Sequence, residues 1–265
     1  MSNWRVIFSG ENHPYDNMAE DEAILKAYRI GKVGPTLRIY RWSRDAISLG
    51  CFQDASDVLN LTECLEKNVP FVRRITGGEA IFHGNDLSYS ITLSNRDLVL
   101  PVSVKDAFMV LTGFILNAYK RLGIRCSFFS NTDNKKSTFC FAKRQGFDIA
   151  VDGKKLGGNA QKRVDKNIVF QHGSIPFSLD APKIKPFFRE DLSGIEKRTA
   201  SLSDILPNSI SFDELSIVLS ESFENTFGVK LKKENLTPFE LKLTSELKRE
   251  KYGNRNWLHK KTSLA

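Results

Sequence analysis

Cysteine is scarce in this 265-residue chain: Cys51, Cys64, Cys126 and Cys140 are the only four. None forms a CxxC pair, and none stands at metal-ligand spacing from a histidine. That pattern excludes a zinc module and a disulfide framework. No metal is expected, and four free thiols fit a reducing cytoplasm. No stretch approaches the roughly 18 apolar residues of a membrane span, so no membrane is expected either. The opening residues, MSNWRVIFSG, lack a charged leader with an apolar core, so no signal peptide is expected. There is no internal repeat and no low-complexity segment. Basic residues do not alternate with aromatics along any stripe, which speaks against nucleic acid as a partner.

What is present is ordinary globular composition, with 41% hydrophobic and 26% charged residues. The length allows one large domain or two small ones. Lysine and arginine exceed aspartate and glutamate by 39 − 31, a net charge of +8. Such an excess is either a solvated basic surface or a patch for an acidic protein partner.

The pattern predicts strands over 4–8, 37–42, 46–52 and 71–75, and a β-rich run over 80–93 broken near Gly84. Helices are predicted over 12–30, 56–68 and 104–122. The last carries the stripe Val104, Ala107, Phe108, Leu111, Ile115, Ala118 and Leu122, and Gly123 ends it. Asp21 and Glu22 read as acids favoured by the dipole of the first helix rather than as catalysts. The polar run 130–137 reads as a loop or lid. Segments 147–151, 155–156 and 168–179 continue the sheet as a meander. Segment 182–196 is irregular or weakly helical. Ser211 with Glu214, and Thr237 with Glu240, are capping boxes for two further helices, the second running to about Tyr252. The tail from 260 is expected to fray. Strands separated by tight reversals imply an α+β fold: a mixed, largely antiparallel sheet packed with helices.

The chemistry concentrates between Cys140 and Gln161. An apolar alternation, Phe147 to Val151, leads to Asp152-Gly153, the signature of a two-residue type I′ hairpin. The chain then returns through Lys154 and Lys155 into the small residues Gly157, Gly158, Asn159 and Ala160. Phe139-Cys140-Phe141 alone reads as a buried apolar segment. A nucleophilic role for Cys140 needs a cation nearby to lower its pKa, and the hairpin offers Lys155. Lys154 reads as solvent-facing, and Cys51, Cys64 and Cys126 as structural. His83 and His172 each read as hydrogen-bonded core histidines, and the spacing assigns no Ser/His/Asp triad.

The residues Gly153-x-Lys155-Leu156-x-Gly158-x-Ala160-Gln161 resemble the motif of the lipoate/biotin protein ligase family. Within it, Cys140-Phe141 standing 15 residues before Lys155 resembles the LipM-type octanoyltransferases. Segments 4–22, 73–90 and 168–176 match as well, so the resemblance covers most of the chain. It implies one ligase-type catalytic domain over 1–265, with 211–258 a possible small C-terminal helical extension and no accessory domain. Arg73 to His83 is similar to the family's Arg-Arg-x-x-Gly-Gly-Gly-Ala-Val-Phe-His motif. Arg74, Gly77, Gly78, Glu79, Ala80, Ile81, Phe82 and His83, with Gly157 to Ala160, would then line the substrate pocket. Glu79 replaces the third glycine. A carboxylate there would repel nucleotide phosphates, which argues against ATP as a substrate.

The resemblance therefore implies octanoyl transfer from octanoyl-acyl carrier protein to a lysine of a lipoyl domain or of glycine-cleavage H protein. Cys140 would carry the acyl group, and Lys155 would lower the thiol pKa and stabilise the oxyanion. No cofactor is expected. The alternatives are a ligase using ATP and Mg²⁺, and a non-catalytic protein that binds lipoyl domains.

Overall fold

The computed structural model describes residues 4–129, 137–140, 145–165 and 167–260. Segment 130–136 of the expected lid, Phe141 and the tail from 261 lie outside them. In chain order the first half forms β1 (Trp4–Asn12), α1 (Pro14–Arg29), β2 (Thr36–Trp42), β3 (Ala46–Leu49), α2 (Ala55–Val58), α3 (Leu61–Glu66), β4 (Phe71–Arg73), β5 (Ile81–His83), β6 (Asp86–Ser94), α4 (Val104–Arg121) and β7 (Ser127–Phe128). Then follow β8 (Ile149–Val151), β9 (Lys154–Leu156), β10 (Gly158–Val164), β11 (Ile168–Pro176), α5 (Ala181–Ile184), β12 (Thr199–Ala200), α6 (Leu202–Ile205), α7 (Phe212–Phe227), β13 (Leu231–Lys233), α8 (Pro238–Leu247) and α9 (Arg255–His259).

A six-stranded sheet runs in the order β10-β11-β6-β2-β1-β13, beside a four-stranded sheet β12-β9-β8-β7 and a three-stranded sheet β4-β3-β5. The pairings of β1 with β2 and β13, of β9 with β12 and of β3 with β4 are parallel. The remaining ladders are antiparallel. This is the expected α+β architecture with a mixed, largely antiparallel sheet. Among the described residues no helix is long and apolar enough to cross a membrane.

β6 explains the layering. Leu87, Tyr89, Ile91 and Leu93 face one side and pack, with Leu37 and Ile39 of β2, under α4 and α7. The alternate residues Asp86, Ser88, Ser90, Thr92 and Ser94 are buried on the other side. That side stays polar because α1 covers it with polar groups of its own. Arg38 of β2 donates to Asp21 at 2.8 Å and to the Asn17 side-chain oxygen at 2.8 Å, while Ser90 donates to Asp21 at 2.7 Å. This corrects the dipole reading of Asp21 and Glu22. They lie beyond the first turn of α1; Asp21 pairs with Arg38, and Glu22 with Lys251 and Tyr252.

Other expectations shift for local reasons. The helix expected over 56–68 divides into α2 and α3, because Leu59 is extended (φ −106°, ψ 144°) and Asn60 caps the second piece. β1 runs past Phe8 to Asn12 across a bulge between Phe8 and Gly10. The expected meander is split between two sheets: β8 and β9 belong to the four-stranded sheet, β10 and β11 to the six-stranded one. The small-residue run after the hairpin is itself an edge strand, β10. At the C-terminal end, α8 begins in the Thr237–Glu240 capping box. Glu240 then turns to a buried ion pair with Arg5 of β1, which ties α8 to the sheet.

Candidate active site

The turn between β8 and β9 has Asp152 at φ +48° and Gly153 at φ +73°, the left-handed pair that a type I′ hairpin requires. It pairs Lys155 with Ala150 and, on the far side, with Thr199. The Lys155 side chain is thereby buried, with Nζ 3.0 Å from the Cys140 carbonyl oxygen and 3.7 Å from Cys140 Sγ. A third neighbour is Asp148, whose carboxylate lies 2.7 Å from Nζ. Cys140 is held in turn by the glycine-rich segment: its N–H donates to Ala80 O at 2.9 Å, and Ala80 N–H donates to Thr138 O at 2.9 Å. The lysine motif and the Arg73–His83 motif thus meet at the thiol. Gly158 makes room for it, since a Cβ there would stand 2.8 Å from Sγ.

Burial dominates the electrostatics. It pushes the Cys140 thiol above the ordinary cysteine value; Lys155 is the strongest group pulling it down, helped by Arg74, while Asp148 and Glu79 push it up. Lys155 therefore favours the thiolate as expected, but burial outweighs it. Burial also works against the Lys155 ammonium. Cys140, Asp148 and Glu79 overcome that and hold Lys155 above the ordinary lysine value. Burial pushes the Asp148 carboxyl up, and Lys155 and the Gln145 N–H offset only part of the shift. Asp148 was not singled out from the sequence. The signal was there: a carboxylate interrupting the apolar approach to the hairpin.

Of the other expected pocket residues, Arg74, Ile81, His83, Gly158 and Ala160 line a narrow cleft with Trp42, Ser48, His172 and Ser174. Arg74 reaches Ser48 O at 2.7 Å, Gly77 O at 3.0 Å and Glu79 O at 3.0 Å, so it clamps the glycine-rich loop from behind. Gly78 lies against Ala160, and Gly77 against the ring of Phe52. Ala80 is fully buried and acts through its backbone. Three residues depart from the expectation. Phe82 alternates to the other side of β5 and stacks on Phe187 at 5.5 Å. Asn159 points through the sheet and accepts from Tyr89 at 2.6 Å. Gly157 packs under Ser174 O.

Both histidines are hydrogen-bonded core residues, as expected. His83 bridges Asp86 (2.8 Å) and Ser48 Oγ (2.8 Å) while stacking on Trp42, and His172 meets Thr76 at 2.7 Å. The hydroxyl–imidazole–carboxylate chain Ser48–His83–Asp86 was invisible in the sequence spacing. Ser48 is fully buried and also receives an N–H from Arg74 at 2.9 Å, so the chain braces the cleft wall.

Residues 13–224 match the family model of the lipoyl protein ligase A/B catalytic domain. The chain belongs to that family. It is 32% identical to the octanoyltransferase LipM of Brevibacillus brevis, covering 97% of this chain and 99% of the relative. It is 30% identical to the octanoyltransferase LipM of Bacillus subtilis, covering 97% and 98%. Among solved structures it is similar to a bi-partite lipoate protein ligase of Thermoplasma acidophilum, with a TM-score of 0.84 at 20% identity over 100% of this chain and 99% of that one. A lipoate-protein ligase A structure bound with ATP superposes with a TM-score of 0.83 at 23% identity, covering 97% and 98%. At those identities the two structures speak for the fold alone. The family resemblance read from the motifs is borne out across nearly the whole chain.

Proposed function

We infer that this protein is an octanoyltransferase of lipoate biosynthesis, acting through an acyl-thioester on Cys140. The observation that carries the mechanism is the 3.7 Å approach of Lys155 Nζ to Cys140 Sγ, both side chains being buried. The curated relatives over the full chain supply the acyl group. The donor is octanoyl-acyl carrier protein, an acidic partner suited to the +8 charge. The acceptor is a lysine of a lipoyl domain or of glycine-cleavage H protein.

The sulfur attacks the thioester carbonyl, and the Lys155 ammonium faces the charge that develops on oxygen. Collapse releases the carrier thiol and leaves octanoyl on Cys140. The acceptor amine then attacks, and the cysteine leaves as its amide forms. The incoming thioester is already activated, so the reading calls for no ATP and no metal, and Glu79 stands where the family motif has its third glycine, a carboxylate that would repel a nucleotide's phosphates. Intact-protein mass after mixing with octanoyl-acyl carrier protein tests this. One added octanoyl group is expected, lost in Cys140→Ala and retained when Cys51, Cys64 or Cys126 is changed to Ser. An unmodified parent protein, or transfer that demands ATP, would overturn it.

A further inference from the structure

Transfer through Cys140 requires its proton to go somewhere. The thiol is 7% exposed, Lys155 2% and Asp148 3%. With thiol, ammonium and carboxylate the trio is neutral. Losing the proton to solvent would leave a net negative charge in a dry site, which is costly. Lys155 Nζ stands between the two groups, 3.7 Å from Sγ and 2.7 Å from Asp148 Oδ2.

We propose that Asp148 is the internal acceptor of the Cys140 proton, reached through Lys155. Lys155 gives one of its protons to Asp148 Oδ2, and Nζ, its lone pair thereby freed, takes the proton of the breaking S–H bond in the same step. One S–H is exchanged for one O–H. Lys155 remains an ammonium, and the net charge stays at zero. When the tetrahedral intermediate collapses, the proton returns by the same path to the departing carrier thiolate. The charged groups facing Cys140 come from each surrounding segment: Lys155 from β9, Asp148 from before β8, Glu79 from before β5 and Arg74 from after β4. Glu79 is only half-buried, whereas Asp148 is buried and its carboxylate is fixed by the Gln145 N–H at 2.8 Å. Burial pushes both the thiol and the carboxyl upward, so each is favoured in its neutral form.

The assignment rests on the reading of Cys140 as the acyl carrier, and the two can be tested apart. A pair that exchanges a proton internally has a thiolate fraction independent of pH between its two macroscopic titrations. Iodoacetamide alkylation of the full-length protein, followed on the Cys140 peptide by mass spectrometry, should therefore level off on the acid side at a non-zero plateau. Asp148→Asn should lose the plateau, its rate falling about tenfold per pH unit, because only solvent then takes the proton. Its midpoint should lie below the parent's, since Lys155 is no longer neutralised. Asp148→Glu, which keeps a carboxyl, should retain the plateau. A parent profile without a plateau, or an Asp148→Asn profile that keeps it, overturns the proposal. Should Asp148→Asn fail to fold, the parent profile decides alone. A parent that shows the plateau but gains no octanoyl mass removes the transferase reading and leaves the shared proton. Octanoyl mass without the plateau does the reverse.

Discussion

Gly158 brings the backbone of β10 up to the nucleophile, and an added methyl would stand 2.8 Å from Sγ, inside contact distance. Gly158→Ala must displace either Cys140 or β10. Overpacking of this kind costs about 1–3 kcal/mol of stability. The displacement widens the Cys140–Lys155 contact, so acylation should slow by at least about tenfold, while the protein still unfolds cooperatively. The check is single-turnover octanoylation beside a denaturation curve; full-speed acylation would show that the site tolerates the methyl. At this scale the sequence disclosed the two residues whose spacing carries meaning, Cys140 and Lys155, because a two-residue turn has one geometry. Asp148 stayed hidden because its role depends on which way the residue just before β8 points. Asn159 and Phe82 were misplaced for the same reason: in a strand, neighbours face opposite sides, and the motif does not state the register.

The elements that were legible are those with a periodic stripe and a cap. α4 has both, and the capping boxes of α7 and α8 stand at Ser211–Glu214 and Thr237–Glu240. β7, β10, β12 and β13 were not expected. β10 is an edge strand of small and polar residues, GNAQKRV, and β7 and β13 are two and three residues long. Their pairing comes from the neighbouring strand, not from their own propensity. Glu240 joins the two kinds of information. Its carboxylate caps α8 by accepting from Thr237 N–H at 2.8 Å, and it also pairs with the buried Arg5 guanidinium. Glu240→Gln keeps a side chain able to accept at the cap but leaves Arg5 charged and unpaired. Breaking one side of a buried ion pair costs about 3–5 kcal/mol. Guanidinium unfolding should show a loss of that size, with earlier hydrogen exchange in α8 and in the β1–β13 ladder. A loss below about 1 kcal/mol would mean that α8 holds by its apolar face alone.

Across the whole molecule, three sheets converge on one buried cluster. The four-stranded sheet brings Lys155, the three-stranded sheet leads out of the glycine-rich loop through Ile81, and the six-stranded sheet closes the cleft with Gly158 and Ala160. Under the proposed function the donor is a carrier protein that presents its acyl group on a long, thin arm, which suits a thiol as buried as Cys140. On that reading the carrier body would rest on the outer surface, where the +8 excess of positive charge acts over the Debye length. Transfer from octanoyl-acyl carrier protein should therefore weaken as salt rises. Raising ionic strength from about 50 to about 300 mM should lower kcat/KM by roughly tenfold, mostly through the association rate. Octanoyl-pantetheine carries the same thioester without the acidic body, so its rate should change little over that range. The comparison separates surface from chemistry. If both donors lose rate together, salt acts on the Cys140–Lys155–Asp148 cluster itself; if neither does, the basic excess plays no part in choosing the donor.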